Sequence, residues 1–150
     1  MDSVECLESV LQSWRGTRWQ AGQCCRGRVV DCRYFVIAVL DELCGIDKPL
    51  PARMPVYSPT HDRKAAFAML REIRQRYPCK SVRGEPEPGD VVIVRPRHSH
   101  HRTLQHIMIM GAGGRAWHSS QGNGVGCTSL VAFAVARVFR MFGKEEWGRA

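Results

Sequence analysis

The side chains in this 150-residue chain with most chemical potential are thiols and imidazoles. There are seven cysteines (Cys6, Cys24, Cys25, Cys32, Cys44, Cys79 and Cys127) and six histidines. An odd count cannot pair completely, and no two cysteines form a C-x-x-C unit, so neither a disulfide framework nor a dithiol motif is expected. Most of these thiols then read as small buried hydrophobes. A nucleophilic cysteine needs a thiolate, a base to take its proton and a group to orient that base. Unpaired backbone N–H groups and the macrodipole at a helix N-terminus favour the thiolate. Cys32 has that placement, whereas Cys44 falls at a helix end and Cys6 inside a helix. A thiolate at Cys32 would be alkylated near pH 6.5 ahead of the other six thiols. Asp31 opposes the thiolate if its carboxylate points at the sulfur, so its side chain is expected to cap the backbone instead.

The candidate bases are His61, His98, His100, His101, His106 and His118. Ile107–Met110, Gly111–Gly114 and Arg115–Ser120 read as a hairpin. If its three-residue turn is 111–113, centred on Ala112, His106 and His118 become direct cross-strand partners on one face. One imidazole could then act as base and the other orient it. Gly111, Gly113 and Gly114 are not a phosphate loop, because no Lys-Ser/Thr follows them. The run Arg95-Pro-Arg-His-Ser-His-His-Arg102 reads first as a solvated loop, second as a substrate contact and third as a metal site. Its histidines lack the rigid Cys or carboxylate partners zinc usually has, so no metal or cofactor is expected.

These residues must be positioned by a fold, and hydrophobic spacing outlines it. A helix is expected over 3–14, with Val4, Leu7, Val10, Leu11 and Trp14 inward, ended by Gly16. A Gly- and Cys-containing loop, Gly22 to Gly27, leads to a second helix from Asp31 to Gly45. Cys32, Phe35, Val36, Val39, Leu40 and Leu43 form its single apolar stripe. Asp31 suits an N-cap and Gly45 a C-terminal stop. After a proline-rich connection (Pro49, Pro51, Pro55, Pro59), a third helix is expected over 61–76. It turns Ala66, Met69, Leu70 and Ile73 inward and Arg63, Lys64, Arg71, Arg74 and Arg76 mostly outward. Pro86, Pro88 and Gly89 make a turn before a strand at Asp90–Arg95. A short helix and then a strand around Val135–Met141 are expected near the end. Helices first and strands second indicate an α+β fold, with the helices packed on a small antiparallel sheet.

The composition suits one domain over residues 1–150: 44% apolar and 24% charged residues are ordinary for a globular chain. No apolar run approaches the ~20 residues of a membrane span. The acidic start MDSVECLESV is unlike a secretory signal, so cytoplasmic synthesis is expected. The net charge of +8 admits nucleic acid, a membrane surface, an anionic polymer or simply an arginine-rich composition as its cause. Residues 1–50 hold six Lys/Arg against seven Asp/Glu, so the excess lies in the remainder of the chain. No nucleic-acid motif is present, and nucleic acid is not the expected partner.

Six segments in order carry a family resemblance. Trp14-Arg-Gly-Thr-Arg-Trp19, Gly22-Gln23 and Val30-Asp-Cys-Arg-Tyr-Phe35 resemble the N-terminal signature of NlpC/P60 cysteine peptidases, particularly phage-tail and gene-transfer-agent-like members. Gly89-Asp90-Val-Val-Ile-Val, Gln105-His-Ile-Met-Ile-Met110 and Ala116-Trp-His-Ser119 resemble the strands that follow, over most of residues 11–142. Each segment is weak alone, and their shared order is the signal. For Cys32 alone, a buried structural thiol is the simpler reading, which the motif order reverses. For His118 alone, a satisfied strand histidine is.

The resemblance implies a papain-like NlpC/P60 fold in which Cys32 is the nucleophile, His106 the general base and His118 the orienting residue. The Cys32 N–H would contribute to the oxyanion hole, and Trp19, Gln23, Arg33 and Tyr34 are the candidate substrate-binding residues. Arg33-Tyr34 departs from the family's small pair after the cysteine and so leaves specificity open. The implied reaction is hydrolysis of peptide or amide bonds in peptidoglycan stem peptides, through a thioester acyl-enzyme. A virion or phage-like particle is the implied setting, with its proteins as partners. Two other readings stand beside it. One is a thiol amidase or acyltransferase on lipid or small-molecule amides. The other is a catalytically silent basic module of a phage-like particle.

Overall fold

The computed structural model describes residues 1–50, 63–97 and 106–149. His61, His98, His100, His101, Gln105 and most of the proline-rich connection lie outside the described residues. Helix α1 spans Ser3–Trp14, and Asp2 caps it by accepting the Glu5 N–H at 2.8 Å. It buries Leu7, Val10, Leu11 and Trp14, while Val4, expected inward, is exposed. Helix α2 spans Cys32–Cys44 between the Asp31 N-cap and Gly45, whose left-handed φ of 66° ends it.

Helix α3 spans Arg63–Arg76 and buries Met69 and Ile73. Arg76, expected to face outward, instead makes two hydrogen bonds to the Asp41 carboxylate at 2.7 and 2.9 Å. The Tyr77 hydroxyl donates to the same carboxylate at 2.6 Å. This acidic side chain on α2 therefore anchors the end of α3, and a basic residue becomes part of the helix–helix joint.

Two short strands, β1 (Cys24–Cys25) and β2 (Val29–Val30), make a small hairpin where only a loop was expected. The main sheet contains β3 (Cys79–Ser81), β4 (Val91–Pro96), β5 (His106–Met110), β6 (Arg115–Ser120), β7 (Gly124–Ser129) and β8 (Phe133–Met141). Its order is β3-β8-β4-β5-β6-β7, with every neighbouring pair antiparallel. Of these strands, β3 and β7 carry no strong apolar pattern and were not expected.

Both faces of the central strands are covered, which is why Val91, Val92, Ile93 and Val94 form an unbroken apolar run. Val91, Ile93, Ile107, Ile109 and Trp117 face the main core with α1 and α2. Val92, Val94, Met108, Met110 and Ala116 face a second core, closed by Val82, Leu130 and Phe133. Asp90, fully buried at the start of β4, accepts from Arg140 Nη2 and the Glu87 N–H at 2.9 and 2.8 Å. That pair ties β4 to β8.

The turn between β5 and β6 corrects one expectation. Ile109 pairs with Trp117 and Met110 with Ala116, and the Gly111 N–H donates to the Arg115 carbonyl at 2.8 Å. The turn is therefore residues 112–114, centred on Gly113, and every partner is displaced by two residues from the expected register. Gly113 and Gly114 supply the turn through φ values of 67° and 70°. Gly111 is extended and needs glycine for space instead, because a Cβ there would lie 2.8 Å from Trp117 Nε1 and 2.7 Å from Glu8 Oε1. A displacement of two preserves the faces, since side chains alternate with period two. His106 and His118 thus still share a face, as diagonal rather than direct neighbours.

Gly111→Ala should cost about 2 kcal/mol through overpacking against the Trp117 indole. Thermal denaturation would register it as a lowered midpoint, and an unchanged midpoint would refute the close approach.

Candidate active site

Local sequence places Cys32 at the first position of α2. The Asp31 carboxylate does what a capping side chain should. Its Oδ1 accepts the N–H groups of Arg33 and Tyr34 at 3.0 and 2.8 Å, and its Oδ2 accepts the Gly22 N–H at 2.9 Å. The Asp31 N–H donates to the Gln23 carbonyl at 3.1 Å. The Gly22-Gln23 segment is thus bound to the helix start by both the side chain and the main chain of one residue.

The same region is fastened to β6 and β7. Thr17, itself buried, accepts the Gly27 N–H on its hydroxyl at 3.0 Å and the Val125 N–H on its carbonyl at 2.8 Å. Gly124 permits this approach, because a Cβ there would lie 2.3 Å from the Thr17 carbonyl oxygen. Ser119, beside His118 in β6, donates its hydroxyl proton to the Val30 carbonyl at 2.8 Å. Motif inspection assigned no role to Thr17 or Ser119; burial of a small polar side chain is their signature, and burial is not visible in a one-dimensional sequence.

Helix α2 packs on β5 and brings the thiol to it. The Cys32 sulfur lies close to the backbone N–H of Ile107, the residue after His106, a dipole that favours negative charge there. On the sheet, His106 Nε2 lies 2.7 Å from His118 Nδ1, with the two rings inclined at 71°. One nitrogen of that contact must carry the hydrogen. If His106 Nε2 carries it, His106 Nδ1 keeps a free lone pair and His118 is protonated on Nε2. This tautomer makes His106 a base and His118 the acceptor that holds its ring. The Phe133 ring stands edge-on to His118 with centroids 6.5 Å apart, and sequence alone pointed to nothing at that position.

The other sequence-derived candidates divide. Gln23 reaches the site through its carbonyl, while its side chain is exposed; Trp19 is half-buried. Tyr34 is buried, and Arg33 is only 2% exposed, with Nη2 3.9 Å from Asp31 Oδ2. Arg33 is therefore enclosed beside the nucleophile position rather than displayed on a cleft surface. Among the described residues no cluster of three metal-ligating side chains occurs.

The electrostatics differ from the expected preformed thiolate. Cys32 is 4% exposed, and burial, followed by the nearby Asp31 charge, pushes its thiol up to about 12. Arg33 and the nearby backbone N–H dipoles oppose that shift but do not cancel it. Burial, with His118 adding to it, holds His106 down to about 3, and burial also lowers His118. At neutral pH the thiol and both imidazoles are uncharged. Selective alkylation of Cys32 near pH 6.5 is accordingly not the expected behaviour of this arrangement.

No family model matches the chain, and no curated protein matches it. Among solved structures it resembles the NlpC/p60 domain of the peptidoglycan hydrolase SagA. The TM-score is 0.58 at 18% identity, covering 91% of this chain and 97% of that domain. The architecture is therefore α+β with the NlpC/p60 fold. The likeness defines the fold, and this chain's chemistry has to be argued from its own residues.

The depressed imidazoles make stability depend on pH. In the unfolded chain these rings take up protons below about 6.5, whereas folded His106 does so only near 3. Their contribution is complete above pH 6.5 and is lost as pH falls toward 3. A melting temperature that declines over this interval, less steeply in His106→Gln, is the expected result. The raised Cys32 thiol has the opposite sense, losing its contribution as pH rises above 9.0 toward about 12.

Proposed function

We propose that this chain is a cysteine peptidase of the NlpC/P60 type, hydrolysing peptide or amide bonds in the stem peptides of peptidoglycan. The observation that carries this reading is the 2.7 Å His106–His118 contact beside the β5 backbone that receives the Cys32 sulfur. Its supports are the ordered motifs, the fold shared with a peptidoglycan hydrolase domain, and a net charge of +8, which suits an anionic substrate.

In this mechanism His106 Nδ1 takes the thiol proton as the Cys32 sulfur attacks the carbonyl carbon. A neutral resting pair means that transfer and attack occur together. His118 holds the His106 ring and shares the charge that it gains. The Cys32 backbone N–H stabilises the developing oxyanion, since those of Arg33 and Tyr34 are held by the Asp31 cap. The C–N bond then breaks, the amine leaves with the proton from His106, and a thioester remains on Cys32. Water, giving a proton to His106, attacks the thioester, releases the carboxylic acid and regenerates the thiol. No cofactor takes part. A phage-tail or phage-like setting, with particle proteins as partners, belongs to the same proposal and rests on the Trp14–Trp19 and Asp31–Cys32 motifs.

Incubation of the chain with purified peptidoglycan, followed by mass spectrometry of the soluble fragments, tests the reading. Cys32→Ala should abolish fragment release, and His118→Ala should lower kcat more than it changes KM. Undiminished cleavage by Cys32→Ala would overturn the assignment.

A further inference from the structure

The position after Cys32 departs from the small residue of the resembling family, and Arg33 is too buried for an ordinary surface contact. Its side chain is 3% exposed and that of Asp31 is 5%, so a cation and an anion 3.9 Å apart are enclosed on the two residues that flank Cys32 in sequence. Asp31 and Arg33 are the residues before and after Cys32, followed by the buried Tyr34; His106 stands on β5, the strand α2 packs against, His118 on β6 and Cys24 on β1. The Cys24 sulfur lies 4.0 Å from the Tyr34 carbonyl oxygen, and burial pushes its thiol up to about 11. At neutral pH both imidazoles and Cys24 are uncharged, which leaves Asp31 and Arg33 as the charges that act on the Cys32 sulfur.

Asp31 cannot be dispensed with, because three backbone N–H groups of the helix start and the Gly22 loop end on its carboxylate. The cap that positions the nucleophile therefore brings a negative charge against it. Two anions one residue apart in a low-dielectric interior repel strongly. A buried cation on the following residue is the compensation available.

We propose that Arg33 is a positioning residue for the nucleophile: its enclosed guanidinium offsets the Asp31 carboxylate, so that negative charge can form on the Cys32 sulfur. The proposal rests on the reading of Cys32 as nucleophile and assigns Arg33 to the thiol rather than to the substrate.

The experiment is alkylation of Cys32 in the full chain by neutral iodoacetamide between pH 7 and 10, read by peptide mass spectrometry. In that range the rate rises with pH because the thiolate fraction rises. Arg33→Gln should react about tenfold more slowly at each pH, equivalent to one unit of thiol pKa. Arg33→Lys, which keeps the charge, should remain within about twofold of the native rate. The double variant Asp31→Asn/Arg33→Gln removes both charges and should return toward the native rate. General loosening of the structure would expose the sulfur and accelerate the reaction, the opposite sign.

A folded Arg33→Gln with native or faster rates would overturn the proposal, and so would a double variant as slow as the single. If Arg33→Gln does not fold, Asp31→Asn alone decides. It keeps a capping oxygen, so faster alkylation of Cys32 with an unchanged melting temperature supports the proposal, and an unchanged rate, or acceleration with a lowered melting temperature, refutes it. Iodoacetate in parallel identifies an anion-binding role. A loss confined to that reagent on removing Arg33 would place the guanidinium on the substrate side and overturn the proposal. Peptidoglycan digestion by the native chain is scored separately, so a failed hydrolase reading and a failed Arg33 role give different results.

Discussion

The carboxylate of Asp31 is the constraint on which the rest of the site depends. It ends two unpaired N–H groups of α2 and one of the Gly22 loop in a buried position, while its own N–H is tied to Gln23. An N-cap is ordinarily worth about 1 kcal/mol. Here it also determines where the helix begins, and hence which residue occupies the first turn facing β5. One step in either direction would remove Cys32 from the Ile107 N–H. The cost is a buried negative charge beside the thiol, and that charge gives Arg33 its significance.

The remainder of the site is a problem of registration between distant segments. Thr17 and Gly124 lock the chain before the helix to β7, and Ser119 locks it to β6. The histidines are set by the β5–β6 turn, where the glycines have distinct duties. Gly113 and Gly114 provide left-handed backbone, whereas Gly111 provides space for Trp117. The imidazole pair survives a change of register by two residues because alternation, rather than exact opposition, decides which side chains share a face. Burial then sets the protonation: it keeps both imidazoles neutral and the thiol protonated in the resting protein.

Much of this was legible in the residues. Helices α1 and α2 could be read from apolar spacing and caps, since those signals act within a few residues of the chain. Cys32, His106 and His118 could be singled out by helix position and hairpin alternation. The turn centre could not, because any three of the residues from Gly111 to Gly114 look permissive until Trp117 and Glu8 are placed against Gly111. Strands β3 and β7 escaped notice because polar and glycine residues such as Lys80, Ser81, Gly126 and Thr128 become strand only by pairing with neighbours. Arg76 looked solvent-facing because its partner Asp41 lies 35 residues away.

The sequence by itself determined the α+β class, the starts and stops of two helices, and three candidate reacting residues, because helix caps and side-chain periodicity are short-range properties. Tertiary structure decided what those residues are chemically. It enclosed Cys32 and His106, raising one group and depressing the other, and it buried Arg33 beside Asp31 instead of presenting it to solvent. Desolvation and charge pairing depend on which atoms surround a group from all directions. Segments nearly 90 residues apart supply those atoms, as Val30 and Ser119 do, and no local pattern encodes that proximity.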